Sequence, residues 1–231
     1  MDIVRNTTPA IAAAQQVTAQ MHAHAGRPVL LLLSGGSWFA ALDQVADTSW
    51  LNPTVTIGML DERFSVDSAV NNFTQLMATK FYVQALASGV TSIDSRVQSD
   101  ESHSRYAARL AAAWQHWRQA HPSGVVIVTL GMGTDGHTAG LFPNSLALAS
   151  TDWVVADNVS ADMNPCVQRA TATAHFLQTE VTAAFVLITG ERKCSVLHKV
   201  LKNTASVETL PACLWHTMST VTVVTDCSES C

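Results

Sequence analysis

Three stretches of this chain, Val29–Leu33, Val125–Leu130 and Ala184–Thr189, are almost uninterrupted in apolar residues. A strand with one wet face alternates apolar and polar side chains. A run without alternation has both faces covered, as in a parallel sheet sandwiched between helices. Thr54–Leu60 and Thr220–Thr225 also read as strands. Helical patterns lie between the runs. One opens at Thr8-Pro9, a good N-cap and N1 pair, and ends near Gly26. Others span Ser37–Ala46, Phe73–Ala87 and Glu191–Leu201, and Ser99 or Ser102 could start Tyr106–Ala120. Alternating strands and helices predict an α/β fold: a doubly wound, mostly parallel, Rossmann-like sheet with right-handed crossovers. The stretch Ser145–His175 is less regular and is expected to form a strand pair or a cover. No linker or repeat divides the chain, so residues 1–231 are expected to form one domain.

Composition narrows the function classes. Charged residues are 13% and hydrophobic residues 48% of 231, which fits extensive buried sheet. Net charge is −5 and no long basic stretch exists, so nucleic acid is not an expected partner. The apolar runs are far shorter than a membrane span, and the first residues lack a signal-peptide core. No membrane association and a cytoplasmic location are expected. Cys166, Cys194, Cys213, Cys227 and Cys231 are odd in number and scattered, which argues against a disulfide framework. The histidines outside the loop described below show no ligand spacing, and no metal is assigned.

In a doubly wound sheet, ligands bind beyond the carboxyl ends of the strands. After the first run stands Ser34-Gly35-Gly36-Ser37. Its glycines could bring backbone amides against an anion at a helix N-terminus, or could simply make a tight turn. After the strand Thr54–Leu60 comes Asp61-Glu62-Arg63, suited to proton transfer or anion orientation, or to a solvated charged turn. After the run Val125–Leu130 comes GMGTDGHTAGLFP, Gly131–Pro143, where glycines allow Asp135 and His137 to face one ligand. A histidine with an ordinary pKa of ~6.5 can take a proton near neutrality. In this loop, at the end of a buried strand, His137 is read as the acid/base residue. Arg169 and Lys193 follow later, the latter in Thr189-Gly190-Glu191-Arg192-Lys193 at a helix start. A cation there opposes the macrodipole unless an anion is held beside it. Each is equally compatible with a surface charge.

Taken in order, SGGS, DER, GMGTDGHTAGLFP, the Arg169–Thr171 step and TGERK resemble the 6-phosphogluconolactonase family, within the superfamily that also contains glucosamine-6-phosphate deaminases. The resemblance covers about residues 8 to 226, and the DGHTAGLFP segment is its most specific part. It implies hydrolysis of 6-phospho-D-glucono-1,5-lactone to 6-phosphogluconate, in the oxidative pentose phosphate pathway. It also implies a small phosphorylated sugar lactone as partner, no cofactor, and a monomer. On that pattern the amides around Gly35, Gly36 and Ser37 cradle phosphate, and Arg169 and Lys193 neutralise it. His137 activates water, Asp135 orients the site or the histidine, and Arg63 holds substrate and stabilises developing charge. Asp61 is a nearby carboxylate. Two departures stand out: DERFSVDSAVNNF lacks the usual Val-Pro step and has Asn71-Asn72 in place of Ser-Asn, and LPACLWH matches only loosely. Two alternatives remain. A deaminase/isomerase would carry a carboxylate where Phe142 stands. A non-catalytic sugar-phosphate-binding domain would keep the pocket without the chemistry.

Overall fold

The computed structural model describes residues 1–160 and 166–228. Part of the irregular segment Met163–Gln168, and Cys231, lie outside the described residues. In chain order the elements are β1 (Asp2–Arg5), α1 (Pro9–Ala23), β2 (Val29–Leu33), α2 (Ser37–Leu42), β3 (Val55–Met59), β4 (Asp61–Arg63), α3 (Asn72–Met77), α4 (Lys80–Ala87) and β5 (Thr91–Ser92). There follow α5 (His103–Ala120), β6 (Val125–Leu130), β7 (Val154–Asn158), β8 (Gln168–Ala172), α6 (Ala174–Thr179), β9 (Ala183–Ile188), α7 (Cys194–Lys202) and β10 (Val221–Thr225).

A seven-stranded sheet runs in the order β1-β10-β9-β6-β2-β3-β5, and every neighbouring pair is parallel. The apolar runs form its centre because successive side chains point to opposite faces and both faces are covered. In β2, Leu30 and Leu32 join the core that contains Tyr106, Trp114 and Phe176. Val29, Leu31 and Leu33 join the one that contains Val17, Trp38 and Phe73. The sheet is therefore wound on both sides, as the runs predict.

The order in which strands are added reverses between β2 and β6, which lie parallel side by side although β3, β4 and β5 intervene in sequence. That is the switch point where open α/β sheets form a crevice. A second, three-stranded antiparallel sheet, β4-β8-β7, is built from the DER strand and the expected strand pair within Ser145–His175.

Several local expectations differ from the structure. Phe73–Ala87 is not one helix: α3 ends at Met77 and α4 starts anew, with Thr79 accepting from the Tyr82 amide as its N-cap. Of the two candidate caps for α5, Ser102 accepts from the Arg105 amide. Thr8 makes no side-chain cap bond, because its hydroxyl is engaged with Asn6 Oδ1. A disulfide joins Cys194 to Cys227, contrary to the expectation from cysteine scatter. The topology brings them together, since Ile188 and Thr225 are register partners at the ends of β9 and β10 and each cysteine follows shortly after. Sequence spacing carries no sign of that adjacency. None of the helices in the described residues is long and apolar enough to cross a membrane.

Candidate active site

A cavity of about 200 Å³ opens at the carboxyl ends of β2 and β6, roofed by the small sheet. Its walls include Gly35, Gly36, Ser37, Asp61, Arg63, His137, Arg169 and Lys193. Residues far apart in the chain thus meet around one space, and Asp135 stands directly behind His137.

The loop after β2 is pinned to β6. The Ser34 amide donates to Thr129 Oγ1 at 2.9 Å and its hydroxyl to the Thr129 carbonyl at 2.8 Å, while Trp38 Nε1 donates to the Leu130 carbonyl at 2.6 Å. Gly36 has φ of 69°, a conformation that other residues adopt only with strain. Gly35 is required for a different reason: a Cβ there would collide with the Asn72 side chain.

β4 leaves the main sheet immediately after β3 and pairs with β8, so Asp61 faces Thr171 and Arg63 faces Arg169. Arg63 is anchored by donating from Nη1 to the Val70 carbonyl at 2.9 Å. Arg169 is only 4% exposed, and its closest carboxylate contact is Asp61 at 3.8 Å, longer than a hydrogen bond. Burial lowers the Arg169 pKa below that of a free guanidinium, and burial likewise lowers that of Lys193. Arg63, Arg169 and Lys193 therefore face the cavity with Asp61 as the facing carboxylate. A chain of net charge −5 concentrates positive charge here, as an anion site requires.

The loop after β6 is folded back on itself. The Gly133 amide donates to the His137 carbonyl, and the Thr138 hydroxyl to the Gly131 carbonyl. A Cβ at Gly133 would strike both the His137 ring and the Asp135 carboxylate. Asp135 Oδ1 lies 2.6 Å from His137 Nδ1 and also accepts the His137 amide. Burial pushes the Asp135 pKa up, but the hydrogen bonds and charge of His137 outweigh it and hold the carboxyl below the usual range. An ionised Asp135 fixes a proton on Nδ1 and leaves Nε2 as the basic nitrogen. The His137 ring stacks on Phe142 at a centroid distance of 4.2 Å, and Arg169 Cζ lies 5.4 Å from the centroid of the Phe142 ring. Phe142 therefore contacts both groups.

Sequence reasoning missed Asn72, Ser34, Met132 and Ala139 as cavity residues. Asn72 was visible only as a departure from a motif. The usable signal was Asn71, which caps α3 by accepting from the Thr74 amide and so puts Asn72 at the helix start. Ala139 carries no compositional signal, and its φ of 50° is a property of the folded loop.

The family model for glucosamine-6-phosphate isomerases/6-phosphogluconolactonase matches residues 5–224. The 6-phosphogluconolactonase of Rattus norvegicus is 30% identical over 215 residues, covering 87% of this chain and 78% of the relative. That of Bos taurus is 30% identical over 202 residues, covering 83% and 75%. The solved 6-phosphogluconolactonase structures from Shewanella baltica and Trypanosoma brucei each superpose with a TM-score of 0.77 at 24% identity. They cover 97% of this chain and 97% and 95% of their own, respectively, and share its fold.

Proposed function

Because the chain belongs to the family of glucosamine-6-phosphate isomerases and 6-phosphogluconolactonases, we propose that it is an enzyme that hydrolyses 6-phospho-D-glucono-1,5-lactone to 6-phosphogluconate. The observation that carries the assignment within the family is the Asp135–His137 pair above Phe142, set in a cavity edged by Arg63, Arg169 and Lys193.

The substrate phosphate binds beside Gly35, Gly36 and Ser37, neutralised by Arg169 and Lys193. This remote contact positions the lactone carbonyl, so binding energy contributes to the chemical step. His137 Nε2 takes a proton from water as the water oxygen bonds to C1. Negative charge on the carbonyl oxygen is met by Arg63. The intermediate collapses with cleavage of the bond from C1 to the ring oxygen, and His137 returns the proton to that oxygen as it becomes a hydroxyl. Asp135 keeps its own charge throughout and stabilises the imidazolium. Asp61 limits the local excess of positive charge. A single domain suffices for this chemistry, since one chain provides every residue named, and a monomer in the cytoplasm is the proposed working form.

Purified protein mixed with freshly generated 6-phosphogluconolactone should remove it well above the spontaneous rate, and leave glucosamine 6-phosphate unchanged. A progress curve matching buffer rejects the assignment. Release of ammonia from the amino sugar would move the protein to the other branch of the family.

A further inference from the structure

Alternation along β4 sends Asp61 and Arg63 toward the cavity and Glu62 to the opposite side, into the interior. Glu62 is 1% exposed. Its Oε1 accepts the amides of Asn72 at 2.6 Å and Arg63 at 2.8 Å, and its Oε2 accepts the Phe73 amide at 2.8 Å and the Ser95 hydroxyl at 3.2 Å. Each of these partners is uncharged. A buried carboxylate held by neutral groups is a costly way to finish a helix. α3 moreover already has a cap in Asn71.

What these bonds fix is Asn72. Its backbone is held by Glu62, and its Nδ2 donates to the Asp61 carbonyl at 3.1 Å, which sets which way the amide faces. The opposite side-chain atom, Oδ1, has no donor among the described residues and rests against Gly35, leaving no room for a Cβ there. Asn72 itself is 1% exposed and forms part of the cavity wall. A continuous packed path therefore runs from Glu62 through Asn72 to the Gly35-Gly36 turn, alongside Arg63.

We propose that Glu62 is a positioning residue for the phosphorylated substrate, seating Asn72 against Gly35 and thereby fixing the anion-binding turn relative to Arg63. The proposal rests on the lactonase reading for its substrate. It adds that the carboxylate acts through Asn72 on phosphate binding and leaves the His137 chemistry alone.

The test compares Glu62→Gln, Asn72→Ala and the double variant with the parent, using 6-phosphogluconolactone and its unphosphorylated counterpart. Each single variant should raise KM for the phosphorylated lactone and lower its kcat/KM by about 10-fold. kcat/KM for the unphosphorylated lactone should fall much less, by under about 3-fold, and the double variant should be little worse than either single one, as expected for residues acting in one path. A purely structural role would instead lower kcat on both substrates with the folded fraction. That outcome, additive losses, or an unchanged KM overturns the proposal. If Glu62→Gln does not fold, Asn72→Ala carries the same test. Calorimetric titration with 6-phosphogluconate separates the two readings. A parent that binds without hydrolysing rejects the lactonase assignment alone, whereas variants that bind as tightly as the parent reject the role of Glu62. A parent that does not bind rejects both.

Discussion

Arg63 and Arg169 are direct partners across the antiparallel β4–β8 pair, with Asp61 of the same strand 3.8 Å from Arg169. Like charges opposite one another in a sheet are unfavourable, and Arg169 is buried as well. An anionic ligand offsets both costs. Arg169→Met should therefore weaken binding of 6-phosphogluconate by roughly 10- to 100-fold, while the ligand-free thermal midpoint stays level or rises. Calorimetry and a melting curve on the same samples check this. Parent-like affinity would place the phosphate elsewhere.

Asp135→Asn should lower kcat by ~10²-fold or more with little change in KM, because an amide can no longer hold His137 in the tautomer with a basic Nε2. Steady-state kinetics decide it. A loss confined to KM would make Asp135 a substrate ligand.

Glu62 makes a specific prediction about pH. Burial raises its pKa from an ordinary 4.5 to about 7, against the lowering effect of its backbone donors, with Asp61 adding to the rise. Arg63 is beside it in the strand, and Tyr106 and Arg169 lie within its field. The folded state therefore binds a proton that the unfolded state has lost between these values. The contribution to stability is complete below pH ~4.5 and is lost as pH rises through about 7, amounting to at most about 3 kcal/mol. The difference in unfolding free energy between parent and Glu62→Gln should change across that window. A constant difference from pH 4 to 8 would show that Glu62 does not titrate there.

The Cys194–Cys227 disulfide closes a loop of 33 residues next to Lys193. Chain-entropy reasoning assigns such a link about 4 kcal/mol, so reduction should lower the thermal midpoint by several degrees. Peptide mapping under non-reducing conditions should recover the linked pair. Identical melting with and without dithiothreitol, together with free thiols at both positions, would refute the bond.

The main sheet was legible in the sequence because β2, β6 and β9 are apolar on both faces and alternate with helical patterns. β1, β4 and β5 escaped notice as strands: β5 covers Thr91–Ser92 alone, and the DER segment gets its partner from residues more than a hundred positions away. The loops carrying Gly35, Asp135, His137 and Lys193 could be located because strand ends locate them. Asn71 as an N-cap places Asn72 at a helix start, but its place in the cavity depends on the buried Glu62 and on contact with Gly35, neither of which leaves a periodic trace. The disulfide was hidden for the same reason, being a consequence of β9 lying beside β10.

The most direct test of the account is the rate of 6-phosphogluconolactone hydrolysis by the parent and by His137→Ala, each corrected for spontaneous opening of the lactone. The account predicts a parent rate far above background and a kcat lower by ~10²–10⁴-fold in the variant, with 6-phosphogluconate still bound. A His137→Ala enzyme turning over at the parent rate would contradict it.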